Sequence, residues 1–390
     1  TRSSQAAREI RTLVAASAAA ATLATLLVGA WSDRVGRRRE FIAVGYVLWG
    51  LTTAGFGLVG VDSSVPHAVG VAVISIVALD CVMSFLGPGA NDAAFQAWVT
   101  DSTTPGNRAK VDGVIQTLPL LGMLIVFGAL DPITRAGNWT LFFALVGGFT
   151  SLVGVLAWFG VREQLTTRPT GTYLGSVLHG LRPATVRANP RLYLALAAWA
   201  VVGTSFQVVL PYLIIYVQKY LRIEAYAVVL AAVLIGASLL AILGSRRIDP
   251  ARPLQRAIVV LGLYVVGCAS MFSAREMVPV ILAGIVMMGS FLIVGAALSA
   301  TVRNLTPTER AGQVQGLRMI AVVGLPSLIG PFIGAAVISG AAETYVDLGV
   351  VKTVPTPWIF PAAALVALVT LIPMLALSRT SAPEQSEVVG

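Results

Sequence analysis

The stretch GAWSDRVGRRRE, residues 29–40, places Asp33, Arg34, Arg37, Arg38, Arg39 and Glu40 in one short link between two long apolar runs. Around it the chain is 56% hydrophobic and 12% charged over 390 residues. Soluble domains carry about 25% charged residues. At this length a water-soluble chain would make roughly two or three domains, and too few polar residues are present to coat them. The solvent the sequence asks for is lipid. A membrane-spanning helix needs about 20 predominantly apolar residues, and the chain supplies that length many times over.

Apolar runs at 12–31, 41–60, 68–98, 113–131, 139–159, 192–218, 225–243, 255–273, 277–300, 313–340 and 357–378 predict eleven spans. They must be helices, because open strands leave unpaired backbone groups in hydrocarbon. A transmembrane barrel would show alternating segments of about 10 residues, and none occur. The run at 12–31 is not a cleaved leader, since charge follows it where small residues would mark cleavage. The fold class expected is an all-α polytopic membrane protein.

With the 32–41 link assigned to the cytoplasm and the sides alternating, cytoplasmic segments hold 19 of the 27 Lys and Arg residues and external ones 8. That is the bias of the positive-inside rule. The net charge of +9 therefore reports topology, and no nucleic-acid partner is expected. The longest cytoplasmic link, 161–191, carries several arginines and prolines and reads as a tether between a bundle at 1–160 and another at 192–380, with a cytoplasmic tail at 381–390. Cys81 and Cys268 both lie in apolar runs, which argues against a disulfide framework or a metal cluster. His67 and His179 fall in separate links on opposite sides. That pattern, with no large extramembrane loop, argues against a membrane-embedded enzyme. No metal site and no cofactor are expected.

TPGNRAKVDG at 104–113 and TPTERAGQVQG at 306–316 match as Thr-Pro-x-x-Arg-Ala, then Val-x-Gly after a one-residue gap. Each lies in a cytoplasmic link before a helix that contains a proline, Pro119 or Pro326. Two unrelated helix-capping turns are the alternative; the shared place in the topology favours duplication. Four spans precede the second copy within its half and three precede the first. Together with a chain that starts at Thr1, this predicts two six-helix pseudo-symmetric bundles with the first helix missing, eleven visible of twelve.

The order Gly29-x-x-Ser32-Asp33-Arg34-x-Gly36-Arg37-Arg38-Arg39 between two spans resembles the signature loop of the major facilitator superfamily. A degenerate echo, GSRRIDPARP, stands at 244–253. The resemblance implies a secondary transporter whose two halves rock, with this loop as a cytoplasmic latch: Gly29, Asp33, Arg34, Gly36, Arg37 and Arg38. Glycines permit a tight turn, Asp33 can cap a helix or pair with an arginine, and the arginines favour the anionic cytoplasmic face. Asp33, Gly36 and Arg37 fit the latch, while setting topology alone is the alternative reading for Arg38 and Arg39. NDAAFQAWVTD (91–101) and the 305–334 stretch look like the cation-coupled glycoside and sugar symporters of that superfamily. Those symporters often carry two acidic residues in the second helix, which the run LVAASAAAATLATLLVG lacks, so H+ is expected over Na+.

Ionisable groups at membrane depth cost about 2.5–3.5 kcal/mol and are usually functional. Asp80 and Asp92 qualify. On a regular helix Asp80, Ser84, Gly87 and Asn91 share a face, and Asp92 and Gln96 form a second stripe. Asp80, nearer the middle, is the first candidate for a protonatable coupling group, with a structural hydrogen bond as the alternative. Asp92 has the alternative of pairing with a cytoplasmic-end arginine. Gln116, Gln207 and Tyr212 are further candidates. Pro211 beside Gln207 frees a carbonyl and permits a bend, against the alternative of ordinary helix irregularity. Arg318 is expected to snorkel to the interface. The function predicted is alternating-access transport of a small solute with a coupling ion, as sugar or glycoside import, or alternatively proton-driven export of a drug or metabolite. The chain is expected as a monomer spanning the cell membrane many times.

Overall fold

The computed structural model describes residues 27–28, 31–32, 34–60, 68–162, 183–248, 253–306, 314, 317–339, 342–347 and 350–379. Among them are ten helices long and apolar enough to cross a bilayer. They are α1 (Arg38–Leu58), α2 (Gly70–Ser102), α3 (Pro105–Leu130), α4 (Trp139–Gly160), α5 (Pro190–Tyr220), α6 (Tyr226–Ser245), α7 (Pro253–Ser273), α8 (Met277–Asn304), α9 (Leu317–Ile338) and α10 (Ile359–Ser378). Each corresponds to one apolar run of the sequence. The run at 12–31 lies almost wholly outside the described residues, as do residues 163–182 of the central link, the tail at 381–390, and most of the second repeat copy.

The helices face lipid with bulky apolar side chains. Ile74, Phe149, Val259, Leu282 and Phe332 are exposed. In water such surfaces would drive aggregation; in a bilayer they are the solvated face. The protein is an all-α, multi-pass membrane protein. A two-stranded antiparallel hairpin, β1 (Thr344–Asp347) with β2 (Val350–Thr353), stands between α9 and α10 and pairs Tyr345 with Lys352 and Val346 with Val351. No strand was expected there.

The chain forms two compact units. The first takes Thr1–Ser102, Val126–Val186 and Thr306–Ile320, and the second takes Thr103–Ile125, Arg187–Leu305 and Ala321–Gly390. In the first unit α1 packs along α4 and against α2. The α1–α4 contact is backbone to backbone. A Cβ on Gly147 would meet the Gly50 carbonyl and stand 2.6 Å from the Ala54 nitrogen. Without a hydrophobic drive between helices in lipid, such small-residue contact is what holds them.

In the second unit α5 and α8 are the most buried of the described helices. The α3 helix up to Ile125 packs on α6 and α8, and α9 from Ala321 packs on α5. Between α5, α7 and α10 the Ser205 hydroxyl lies 2.9 Å from the Tyr264 hydroxyl and donates to the Ala363 carbonyl at 2.7 Å.

Several spans are not regular throughout. The helix turns to π geometry at Gly89–Phe95, Val126–Leu130, Tyr216–Tyr220 and Ile320–Gly324. Within α2 the change follows Pro88, which has no N–H to return to the Ser84 carbonyl. Such bulges gather at functional sites.

Candidate functional site

The π segment of α2 presents Asn91 and Asp92 in the first unit. The Tyr46 hydroxyl of α1 donates to Asn91 Oδ1 at 2.6 Å, and Asn91 Nδ2 donates to Asp92 Oδ1 at 2.9 Å. Close approach of α1 makes this possible. A Cβ on Gly45 would collide with Ala90, and Gly87 lies beneath the Trp49 ring, with a Cβ position 2.8 Å from it. From the start of α9, Arg318 Nη1 donates to Gln96 Oε1 at 3.1 Å. Its charge acts on the Asp92 carboxylate. Tyr46, Asn91, Asp92, Gln96 and Arg318 thus form one polar cluster inside membrane-spanning helices.

This corrects the reading of Arg318 as a snorkelling residue: its guanidinium turns inward to Gln96. It also revises the expected faces. A π turn bonds i to i+5, so Asn91 and Asp92 leave the α-helical phase that would align Asn91 with Asp80, Ser84 and Gly87. Asp80 and Ser84 are both half-buried in the regular part of the helix. Asp80 stands twelve residues from Asp92, roughly 18 Å of helix rise. Tyr46 and Arg318 are the cluster members that the sequence reading did not put forward. An aromatic hydroxyl inside an apolar run was the signal for the first. The second has its partner 222 residues away.

The remaining candidates lie in the second unit. The Gln116 amide rests against Gly295, where a Cβ would come within 3.0 Å of it. Gln207 Nε2 donates to Ser327 Oγ at 3.1 Å, and the Tyr212 hydroxyl donates to the Pro331 carbonyl at 2.8 Å. Gln207 and Tyr212 therefore tie α5 to α9.

In the signature loop Gly36 takes φ +71°, a left-handed turn that glycine adopts without cost. The turn decides which arginine goes in. Arg38 is 2% exposed, with Nε 3.2 Å from Asp101 Oδ2 and Nη1 2.7 Å from Ser32 Oγ. Arg37 stays outside and pairs with Glu40 at 2.9 Å. Arg34 is exposed and Arg39 stacks over Trp158 at 4.9 Å. The buried ionic contact thus belongs to Arg38, for which setting topology alone was the alternative reading. Gly29 and Asp33 lie outside the described residues. Among the described residues no cluster of three or more His, Cys, Asp or Glu is placed to hold a metal.

Ten helices of membrane-spanning length, with a polar cluster among them, define an α-helical polytopic membrane protein. The profile of the Major Facilitator Superfamily matches residues 4–331, and the chain belongs to that superfamily. No curated protein matches the chain in sequence. Among solved structures it is similar to the proton:xylose symporter XylE bound to 6-bromo-6-deoxy-D-glucose, at 13% identity and TM-score 0.69, covering 96% of this chain and 87% of that one. It is similar to a bacterial homologue of the iron transporter ferroportin in the outward-facing state, at 13% identity and TM-score 0.69, covering 95% and 91%. A third is the human organic anion transporter TETRAN, at 18% identity and TM-score 0.65, covering 93% and 82%. Identities this low carry the fold and leave the solute open.

Proposed function

We propose that the protein moves a small solute by alternating access, driven by a coupling cation, H+ in preference to Na+, with Asp92 as the coupling carboxylate. One observation carries this reading: Asp92 and Arg318 sit in a single polar cluster within helices that span lipid. Ionisable groups there are expensive and are kept for function. A deprotonated Asp92 balances the Arg318 charge. A protonated one leaves the guanidinium to other acceptors, Gln96 first. Proton binding therefore changes which helix contacts are favourable, which is what coupling requires. One charge crossing ~100 mV supplies about 2.3 kcal/mol, enough to concentrate a neutral solute roughly fiftyfold.

For the solute, sugar or glycoside import is the leading reading, supported by the resemblance of the 91–101 and 305–334 stretches to the glycoside symporters. Proton-driven export of a drug or metabolite is the alternative, and an inward-turned Arg318 gives it a cation that can meet an anionic solute. The reading includes two helical halves, 1–160 and 192–380, a cytoplasmic link at 161–191, a cytoplasmic tail, residence in the cell membrane and action as a monomer.

Proteoliposomes with an internal pH dye test this. A panel of sugars, glycosides and organic anions is added to wild type, Asp92→Asn and Asp80→Asn. Solute-dependent acidification in wild type, lost in Asp92→Asn and kept in Asp80→Asn, is the expected result. Loss only in Asp80→Asn moves the coupling group to Asp80. A proton flux that survives both substitutions overturns carboxylate coupling on α2.

A further inference from the structure

Two helices of the second unit carry a proline at mid-span, and the residues that those prolines affect touch each other. Pro211 lies inside the helical run Pro190–Ile215 and Pro331 inside Leu325–Ile338. A proline has no N–H, so the carbonyl four residues earlier loses its helical partner. For Pro211 that carbonyl is Gln207; for Pro331 it is Ser327. Gln207 and Ser327 are the pair joined by the 3.1 Å hydrogen bond between α5 and α9.

The contact is tight and its register is fixed. Gly330 has no side chain where the Gln207 backbone passes: a Cβ there would collide with the Gln207 Cβ and lie 2.8 Å from its carbonyl carbon. One turn on, the Tyr212 hydroxyl holds the Pro331 carbonyl at 2.8 Å. Gln207 is half-buried and Ser327 is exposed, so the group is reachable from outside the helix pair. Both residues stand near the middle of their spans, Pro190–Tyr220 and Leu317–Ile338. At that depth water is scarce, and an unsatisfied backbone group costs several kcal/mol.

We propose that Gln207 and Ser327, with the backbone carbonyls released by Pro211 and Pro331, form a binding site for a monovalent alkali cation such as Na+. The donor set is the two released carbonyl oxygens and the second lone pair of Ser327 Oγ, whose first lone pair accepts from Gln207 Nε2. These are hard, neutral oxygens, the ligands of alkali and alkaline-earth ions rather than of transition metals. With no carboxylate in the set, nothing offsets the desolvation of a divalent ion, so a singly charged one is selected. Carbonyls freed at breaks in transporter helices near the bilayer midplane are used in this way. The site lies wholly in the second unit, and Asp92 belongs to the first.

The test uses the purified full chain in detergent. Its thermal midpoint is followed in NaCl, KCl and choline chloride at equal ionic strength. A saturable rise with Na+ over choline is expected, because a cation that binds only the folded state stabilises it by mass action. Pro331→Ala and Pro211→Ala return the missing N–H to the carbonyls. Each should weaken the apparent Na+ affinity at least tenfold, although alanine is the better helix former. Ser327→Ala, at an exposed position, should do the same and covers the case in which a proline variant does not fold. Equal midpoints of wild type in Na+ and choline overturn the proposal, as does an unchanged Na+ response in all three variants. A rise produced by a hydroxylated solute regardless of cation, and lost in Ser327→Ala, also overturns it and assigns the oxygens to solute hydroxyls. Because the assay needs no flux, Asp92→Asn should keep the Na+ response, so the transport reading fails or stands separately.

Discussion

Arg303 Nε lies 3.0 Å and 3.2 Å from the two carboxylate oxygens of Asp112, and both side chains are 1% exposed. In the first unit Asp101 likewise accepts from a buried arginine, Arg38 Nε, at 3.2 Å. Each unit thus carries a buried arginine–aspartate pair.

The Arg303–Asp112 pair should behave as a buried ion pair. Removing one partner strands a charge and costs about 3–5 kcal/mol, whereas replacing both with apolar groups is often near neutral. Arg303→Met is expected to lower the thermal midpoint in detergent sharply. Arg303→Met combined with Asp112→Leu should recover most of that loss. A double variant as unstable as the single one would show that the charges matter for more than their mutual compensation.

The signature loop offers a sharper contrast, because the two arginines are adjacent. Arg37 and Glu40 have side chains 60% and 37% exposed, and exposed pairs are worth roughly 0–1 kcal/mol. Arg37→Ala should leave the midpoint nearly unmoved. Arg38→Ala removes a buried partner from Asp101 and Ser32 and should be clearly destabilising. Arg38→Lys should not rescue it, since one ammonium cannot reproduce a guanidinium shared between a carboxylate and a hydroxyl. Equal effects of the two alanines would contradict this assignment.

Close helix approach gives a third expectation. In Gly147→Ala the new methyl meets the backbone of α1 at Gly50 and Ala54. Overpacking of this kind costs about 1–3 kcal/mol. Gly148 faces open space, with nothing within 4 Å of a Cβ, so Gly148→Ala should be neutral by the same unfolding measurement.

The hydroxyl pair of Ser205 and Tyr264 gives a fourth. Hydrogen bonds between membrane helices average about 0.6 kcal/mol and reach about 1.7. A double-mutant cycle with Ser205→Ala and Tyr264→Phe should return a coupling energy in that range. Zero coupling would make the Ala363 carbonyl the sole effective partner of Ser205.

The spans were legible because apolar length is a one-dimensional property, and ten runs map onto ten helices. The tight turn at Gly36 was legible too, and its left-handed φ is one that glycine adopts without cost. What escaped depends on the third dimension. Neighbouring Arg37 and Arg38 are chemically identical, and the helix start after Gly36 alone decides which one turns inward. Arg318 looked like an interfacial charge because its acceptor, Gln96, is 222 residues distant. The π segments left no trace in periodicity, since a helix apolar on every side has no phase to read. Pro88 was visible, but its effect on Asn91 and Asp92 was not. The hairpin at 344–353 was hidden in a link read only for its charge.

The unequal length of the helices has a consequence for the membrane itself. The α2 helix runs 33 residues and α5 31, against 20 for α6 and α10. At 1.5 Å per residue the longest is about 50 Å, well beyond the ~30 Å hydrocarbon slab. Hydrophobic mismatch of this size is met by tilting or by ends that stand in the headgroups, and either response depends on acyl-chain length. Turnover measured across phosphatidylcholines of graded chain length should therefore pass through an optimum, with bilayer thickness acting as a control on the transporter.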